Sequence, residues 1–357
     1  GSGSFPTGQG AYLRYTNDNY ATSTVVAMTG SGPTYTATIP AQSSNKTVSY
    51  YVFTSGTSGG NTPASNGSNA DWYTFNLNNN SGSNYSYTVL TDYRSNVTSG
   101  LWNATGSWQK FDGTNWVAAT ATPTSSDGVI TIQNGHTITV GSSVTVDQVV
   151  INSGGTVDLY GGFTLTINDG TGTDLDITGT FIQSANTFTN NGQIVVKNGG
   201  VLRQAKPGTV VPTATWNSGS TCEVTGWQAT MGGGLDQSFS NFTWNCTGQT
   251  SSSFVLEPAT MSVGGVLKIQ STGSGVLALG NSSTTRSLTV GSFDISGGSF
   301  YVAGAGSSAN MTLTITGSFN QSGGTFEVGR SNSNSGTCTV GTTLTTSSGT
   351  LRIMNNS

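Results

Sequence analysis

The chain has 357 residues, of which only 7% are charged and 51 are glycine, and its formal net charge is −4. Without a basic stripe or an apolar run of 18 residues, the sequence argues against nucleic acid as a partner and against a helical membrane span. Apolar residues make up 33%, below the usual ~45–50% that also counts glycine, and the low charge sets the chain apart from ordinary disordered sequence. Thr, Ser, Asn and Gly interleaved with Val, Ile and Phe describe an extended all-β secreted protein. No signal peptide is legible, and the opening Gly-Ser-Gly-Ser reads as a cloning remnant.

Residues 1–95 are rich in aromatics, among them Tyr12, Tyr15, Tyr20, Tyr50, Tyr51, Phe53, Trp72, Tyr73, Phe75 and Tyr85. Period-2 alternation predicts strands at 11–15, 24–28, 34–39, 47–54, 72–77 and 85–90, joined by Gly- and Asn-rich turns. Such a set predicts a small antiparallel sandwich, with a long polar loop over 57–70. The phrases AYLRYTNDNYATSTVVAMT and TVSYYVFTSG resemble the immunoglobulin-like or fibronectin-like modules of secreted bacterial proteins.

Residues 129–357 read as a solenoid. Over 261–357 one phrase is written four times, with glycines at Gly264, Gly291, Gly317 and Gly341, steps of 27, 26 and 24. A second set, Gly275, Gly298, Gly324 and Gly349, keeps step at 23, 26 and 25. Each glycine of this set is followed two residues later by Leu277, Phe300, Phe326 or Leu351. Short alternating runs separated by Gly, Ser and Asn at a fixed period predict a right-handed parallel β-helix of ~25 residues per coil. Residues 96–128 carry Trp102, Trp108 and Trp116. They are expected to close the solenoid's open first coil, since such an end needs a cover. Residues 206–260 look less regular: Lys206-Pro207-Gly208 and Val211-Pro212 interrupt a coil, and Trp216, Trp227, Phe239, Phe242 and Trp244 add bulk. This stretch is expected to be an insertion, a widened coil or a lateral loop on the shaft. The final coil runs to Ser357 without a visible cap, so the chain reads as a piece of a larger protein whose last coil frays first.

The phrase SGLWNATGSWQKF…TPTSSDGVITIQNGHTITVGSSVTV, and later NFTWNCTGQT, is similar to a recurring module in repetitive secreted surface proteins of Bacteroidetes-type bacteria. The resemblance implies a cell-surface or secreted β-helix within long adhesin-like chains.

Candidate sites are sparse. Hydrolysis of glycans needs two carboxylates close together, and the sequence offers no adjacent pair and no catalytic residue to name. The one histidine, His136, sits in an Asn-Gly-His phrase and reads as a turn residue. The densest acidic patch holds Asp169, Asp174 and Asp176, hard oxygen ligands that could suit calcium; the competing reading is an Asp/Gly turn between coils. Trp72 and Tyr73 are candidates for stacking on a sugar ring, against the competing reading of sandwich core. Cys222 and Cys246 lie 24 apart, about one coil, which would let them stack and pair as a disulfide; the alternative is small buried hydrophobes. Thr-x-Thr pairs such as Thr312/Thr314 resemble those of ice-binding solenoids, but the equivalent positions vary and outward Thr is common on β surfaces.

Together these readings predict a non-enzymatic extracellular or cell-surface protein: a structural or adhesin-like stalk meeting polysaccharide or another surface component, and associating with itself along the shaft. No cofactor is expected beyond calcium. The alternative is a polysaccharide-binding or polysaccharide-degrading β-helix.

Overall fold

The structure is a computed structural model, and it describes residues 9–31, 33–44, 46–56, 74–185, 187–281, 283–304, 307–329 and 336–353. The protein is all-β, with only two single-turn 3-10 helices among the described residues. It divides into two compact units: Gly1–Asp92 with Lys110–Val117, and Tyr93–Gln109 with Ala118–Ser357.

The first unit is built on an antiparallel sheet in the order Thr24–Ala27, Gln9–Thr16, Thr47–Gly56, Thr74–Asn78, with Tyr85–Thr88 also paired to Thr47–Gly56. These strands form because aromatic and β-branched residues alternate there. Leu13, Tyr15 and Val48 bury one face, while Tyr12 stacks on Phe53 with ring centroids 5.5 Å apart. Thr29–Ser31 and Thr34–Thr36 make a separate two-stranded ribbon. In this unit Trp116 packs on Phe111, with ring centroids 5.4 Å apart.

The second unit is a β-solenoid of about eight turns and about 24 residues per turn. Its longest sheet is parallel and runs through every coil. In the first half the register joins Thr137 to Thr156, Thr180, Val201, Thr221 and Asn241, steps of 19, 24, 21, 20 and 20. From there Phe242 joins Leu267, Phe293, Phe319 and Leu344, steps of 25, 26, 26 and 25. The step changes because the cross-section changes. The early coils carry two further parallel sheets. One runs Ile130–Ile132, Val149–Ile151, Leu175–Ile177, Ile194–Val196, Thr215–Trp216. The other holds only Val144–Val146, Thr164–Ile167 and Thr187–Asn190. The late coils have instead one further sheet, through Phe254–Val255, Leu277–Gly280, Ser299–Ala303, Thr325–Glu327 and Thr350–Arg352. Their main-sheet strands lengthen to ten residues, Ser262–Ser271 and Arg286–Ile295.

The glycine phrases have distinct jobs. Gly264, Gly265 and Gly291 sit where the long strands shift register, and the Gly317 N–H donates to Gly291 O at 2.6 Å. At Gly265, Gly291 and Gly317 backbone passes so close to backbone that a Cβ would collide, whereas one at Gly264 would meet nothing nearer than 3.9 Å. Gly298, Gly324 and Gly349 are left-handed, with φ of 72°, 68° and 97°, a conformation that glycine adopts without steric cost. Each turns the chain into the last sheet, and the apolar residue two places on faces the core. Leu277, Phe300, Phe326 and Leu351 stand in one register column.

Trp102 and Trp108 are buried in the early core, their rings edge to face at 4.9 Å. Their indole N–H groups donate to Pro123 O at 3.0 Å and to Trp102 O at 2.8 Å. The segment around them is itself a rung: Ser99–Leu101 pairs in parallel with Thr137–Thr139. Through 206–260 the main sheet continues unbroken in Thr221–Val224 and Asn241–Asn245, and the bulk of Trp227, Trp244 and Phe242 faces inward.

Candidate functional site

The register separates Cys222 from Cys246. Cys222 lies opposite Phe242 because the coil step here is 20, so Cys246 overshoots it by four residues. Both thiols are buried and free, which corrects the expected disulfide. Burial pushes the Cys222 thiol well up and that of Cys246 up to about 12.

The acidic patch forms a long corner of the early coils. Seven residues, 168–174, link Thr164–Ile167 to Leu175–Ile177, where the preceding coil spends two, 147–148. Asp174 is fully buried and pins this corner: it accepts the Gly170 N–H at 2.9 Å and the Gln193 N–H at 2.6 Å. Asp176 points out of its strand and is ion-paired with Lys197. Asp169 is exposed. The three predicted calcium ligands therefore point in different directions, and no group of three metal-ligating side chains converges among the described residues. The carboxylate that does meet Asp174 is Asp147, from the coil before. Burial, then the Asp174 charge, then Asp169, push the Asp147 carboxyl above its ordinary value.

His136 faces a serine that periodicity does not reveal. The Ser95 hydroxyl is 2.8 Å from His136 Nδ1 and accepts the Gln133 N–H at 2.9 Å. Ser95 is 0% exposed, so the pair is a clamp between rungs and its hydroxyl is closed to substrate. In the first unit Asp18 is likewise committed. Hydrogen bonds from the Thr16 and Thr22 hydroxyls and the Thr22 N–H hold its carboxyl down to about 2. Trp72 and Tyr73 lie outside the described residues.

Outward hydroxyls stack more regularly than the sequence suggests. Ser287 and Thr289 stand beside Thr312 and Thr314, then Thr337 and Thr339, on three successive coils. The residue before Thr289 in that column is Ser262; Met261 and Val263 point inward.

A lateral groove of about 440 Å³ lies on the shaft. It exists because the small third sheet stops. Thr187–Asn190 is its last strand, and the next coil supplies a projecting turn where a fourth strand would lie. Pro207 and Gly208 sit at the centre of that turn, Gly208 with φ of 66°, as a type II turn requires. The Thr209 hydroxyl bridges to Lys206 O at 2.9 Å and to Gln204 Oε1 at 3.0 Å, and Gln204 Nε2 donates to Val210 O at 3.3 Å. Gln204 is wholly buried, so the core anchors the turn. Val211 is buried in turn and its N–H donates to Gly233 O at 2.9 Å.

The floor of the groove is Phe188, half-buried and packed on Phe181 with ring centroids 4.9 Å apart. Thr187, Asn190 and Gln183 flank it, and Lys206, Val210 and Pro212 form the opposite wall. Asn190 Nδ2 donates to Gly192 O at 2.7 Å, while its Oδ1 has no hydrogen-bond partner. No carboxylate lines the groove among the described residues, and Lys206 is its one charged group. The sequence signal for this site is the Lys206-Pro207-Gly208 break in the coil, which reads as a lateral loop but does not disclose a cavity. No protein-family model matches the chain, and no curated protein and no solved structure is significantly similar to it.

Proposed function

We propose that the chain is a segment of an extracellular or cell-surface shaft, structural or adhesin-like, of the repetitive secreted type found in Bacteroidetes-type bacteria. Its first unit would be an immunoglobulin-like module and its partners polysaccharide or another surface component, with self-association along the shaft. The observation that carries this reading is the solenoid's surface: successive coils present columns of Ser and Thr such as Ser287, Thr312 and Thr337, with few charges between them. Such a surface can meet a hydroxylated partner over many coils without a single chemical centre. Four carboxylates of the shaft support the same reading, because Asp174, Asp176, Glu223 and Glu257 are each tied to a backbone amide or a cation of the fold. The runner-up, a polysaccharide-binding or polysaccharide-degrading protein, is favoured by the lateral groove. A glycan array combined with viscometry on acidic polysaccharides tests both. Binding without loss of viscosity is the expected result, and depolymerisation would overturn the proposal.

A further inference from the structure

We infer that the groove between Thr187–Asn190 and the turn at 206–210 is a binding site for an acidic saccharide, a glycan carrying uronate carboxylates. The inference rests on the reading of the shaft as a glycan-contacting surface and names the ligand class of one place on it.

The volume falls within the range of small-molecule sites, about 300–1,000 Å³. The walls have the two-sided chemistry that a sugar ring needs. Phe188, Val210 and Pro212 offer apolar surface for the C–H face of a pyranose, and Val210 is 62% exposed although it is a large aliphatic. Thr187 offers its hydroxyl to the equatorial groups, and the Thr209 hydroxyl, whose hydrogen is held by Lys206 O and Gln204 Oε1, can still accept from one. The charge settles the class. Lys206 has no carboxylate partner among the described residues, in a groove that has no carboxylate of its own. A lone cation there attracts an anionic ligand and favours a carboxylate over a neutral hydroxyl, since hydrogen bonds to charged groups are the stronger ones. An acidic peptide would share the charge. It would use the short unpaired edge of Thr187–Asn190, which is only four residues long, and would leave the hydroxyl-rich walls without donors to meet. The saccharide uses both walls and floor.

The test is calorimetric titration of the full chain with three probes: alginate oligosaccharides, the same oligosaccharides after reduction of their carboxyl groups, and oligoglutamate. Lys206→Gln and Val210→Asp are compared with the parent, each checked by circular dichroism for an unchanged fold. The inference expects alginate oligomers to bind, both variants to weaken that binding on the order of tenfold or more, and Lys206→Gln to leave any binding of the reduced oligomers unchanged. Oligoglutamate binding as tight as alginate, or saccharide binding indifferent to both substitutions, would overturn the acidic-saccharide site while leaving the surface-shaft reading intact. Failure of every glycan on an array to bind would sink the inference together with the glycan-contacting part of that reading.

Discussion

The early and late coils of the solenoid share one continuous sheet, yet they solve the interior differently. From Ile130 to Val196 the core is almost wholly aliphatic: Ile132, Ile138, Val157, Leu165, Ile177 and their neighbours. From Phe293 to Phe326 a cluster of four phenylalanines joins Ile295, Val302, Met311, Leu313 and Ile315, with Phe293 stacked on Phe319 at 5.6 Å and Phe300 on Phe326 at 5.9 Å. Aliphatic columns pack whatever the length of the corners, so the early coils vary between 19 and 24 residues per step. Stacked rings favour equivalent residues in register, and the late main-sheet column through Phe293 and Phe319 holds to 25 or 26, while the step from Leu277 to Phe300 in the last sheet is 23. A constant coil also keeps left-handed glycines one above another, which fixes the phrase that the sequence repeats.

The largest expected effect breaks the aromatic column. Phe326 is 1% exposed and touches Phe293, Phe300 and Phe319, so Phe326→Ala should cost about 3–5 kcal/mol as a core cavity. Urea unfolding of the full chain measures it. A loss below about 1 kcal/mol would mean that ring stacking does not hold the late coils. In the aliphatic half, Ile177→Val should cost only about 0.5–1.5 kcal/mol, although Ile177 is equally buried.

The glycines sharpen the same contrast. Gly135 and Gly324 are both left-handed, with φ of 75° and 68°, but a Cβ on Gly135 meets open space. A Cβ on Gly324 would lie 2.6 Å from Gly298 O and 2.8 Å from Gly297 C. Gly135→Ala should therefore cost about 1–2 kcal/mol, the conformational penalty alone, and Gly324→Ala clearly more. Equal costs would show that the late turns can spread apart.

The same comparison explains what the sequence discloses. Constant coils with stacked Phe and Gly announce their period, so the late solenoid and the column of Leu277, Phe300, Phe326 and Leu351 are legible from spacing alone. The strands of the first unit are legible too, from aromatic alternation at Tyr12, Tyr50 and Phe53. Early coils hide their register behind corners of unequal length, which is why Cys222 and Cys246 look stackable at a separation of 24 but are not. The Ser95–His136 contact joins residues 41 apart, one at the end of the segment that reads as a sandwich and the other in the solenoid, and no periodicity links them. The groove is hidden for a further reason: it is made by a strand that is missing from a sheet, and a missing strand leaves only a Pro-Gly break in the chain.

The smallest expected effect concerns the acidic corner, and it has a definite sign. The folded-state value of Asp147 is raised by burial first, then by the negative charges of Asp174 and Asp169. Below the ordinary carboxylate range both the folded and unfolded chains carry the proton, and the corner keeps its full stability. As pH rises, the unfolded chain releases that proton first, and the folded chain gives it up only at higher pH, so this contribution is lost as pH climbs through the raised value. The groups facing Asp147 are Asp174, pinned by the Gly170 and Gln193 amides, and exposed Asp169; both are acids, so neutral pH adds repulsion. Asp147→Asn keeps the shape of the side chain and removes its charge. The variant should match the parent near pH 4, exceed it modestly at pH 7, and show a flatter dependence between. Unfolding midpoints across that range read the difference. A variant whose midpoint falls with pH as steeply as the parent's would assign the dependence to other carboxylates, and would leave Asp174 alone as the residue that sets the long corner of the early coils.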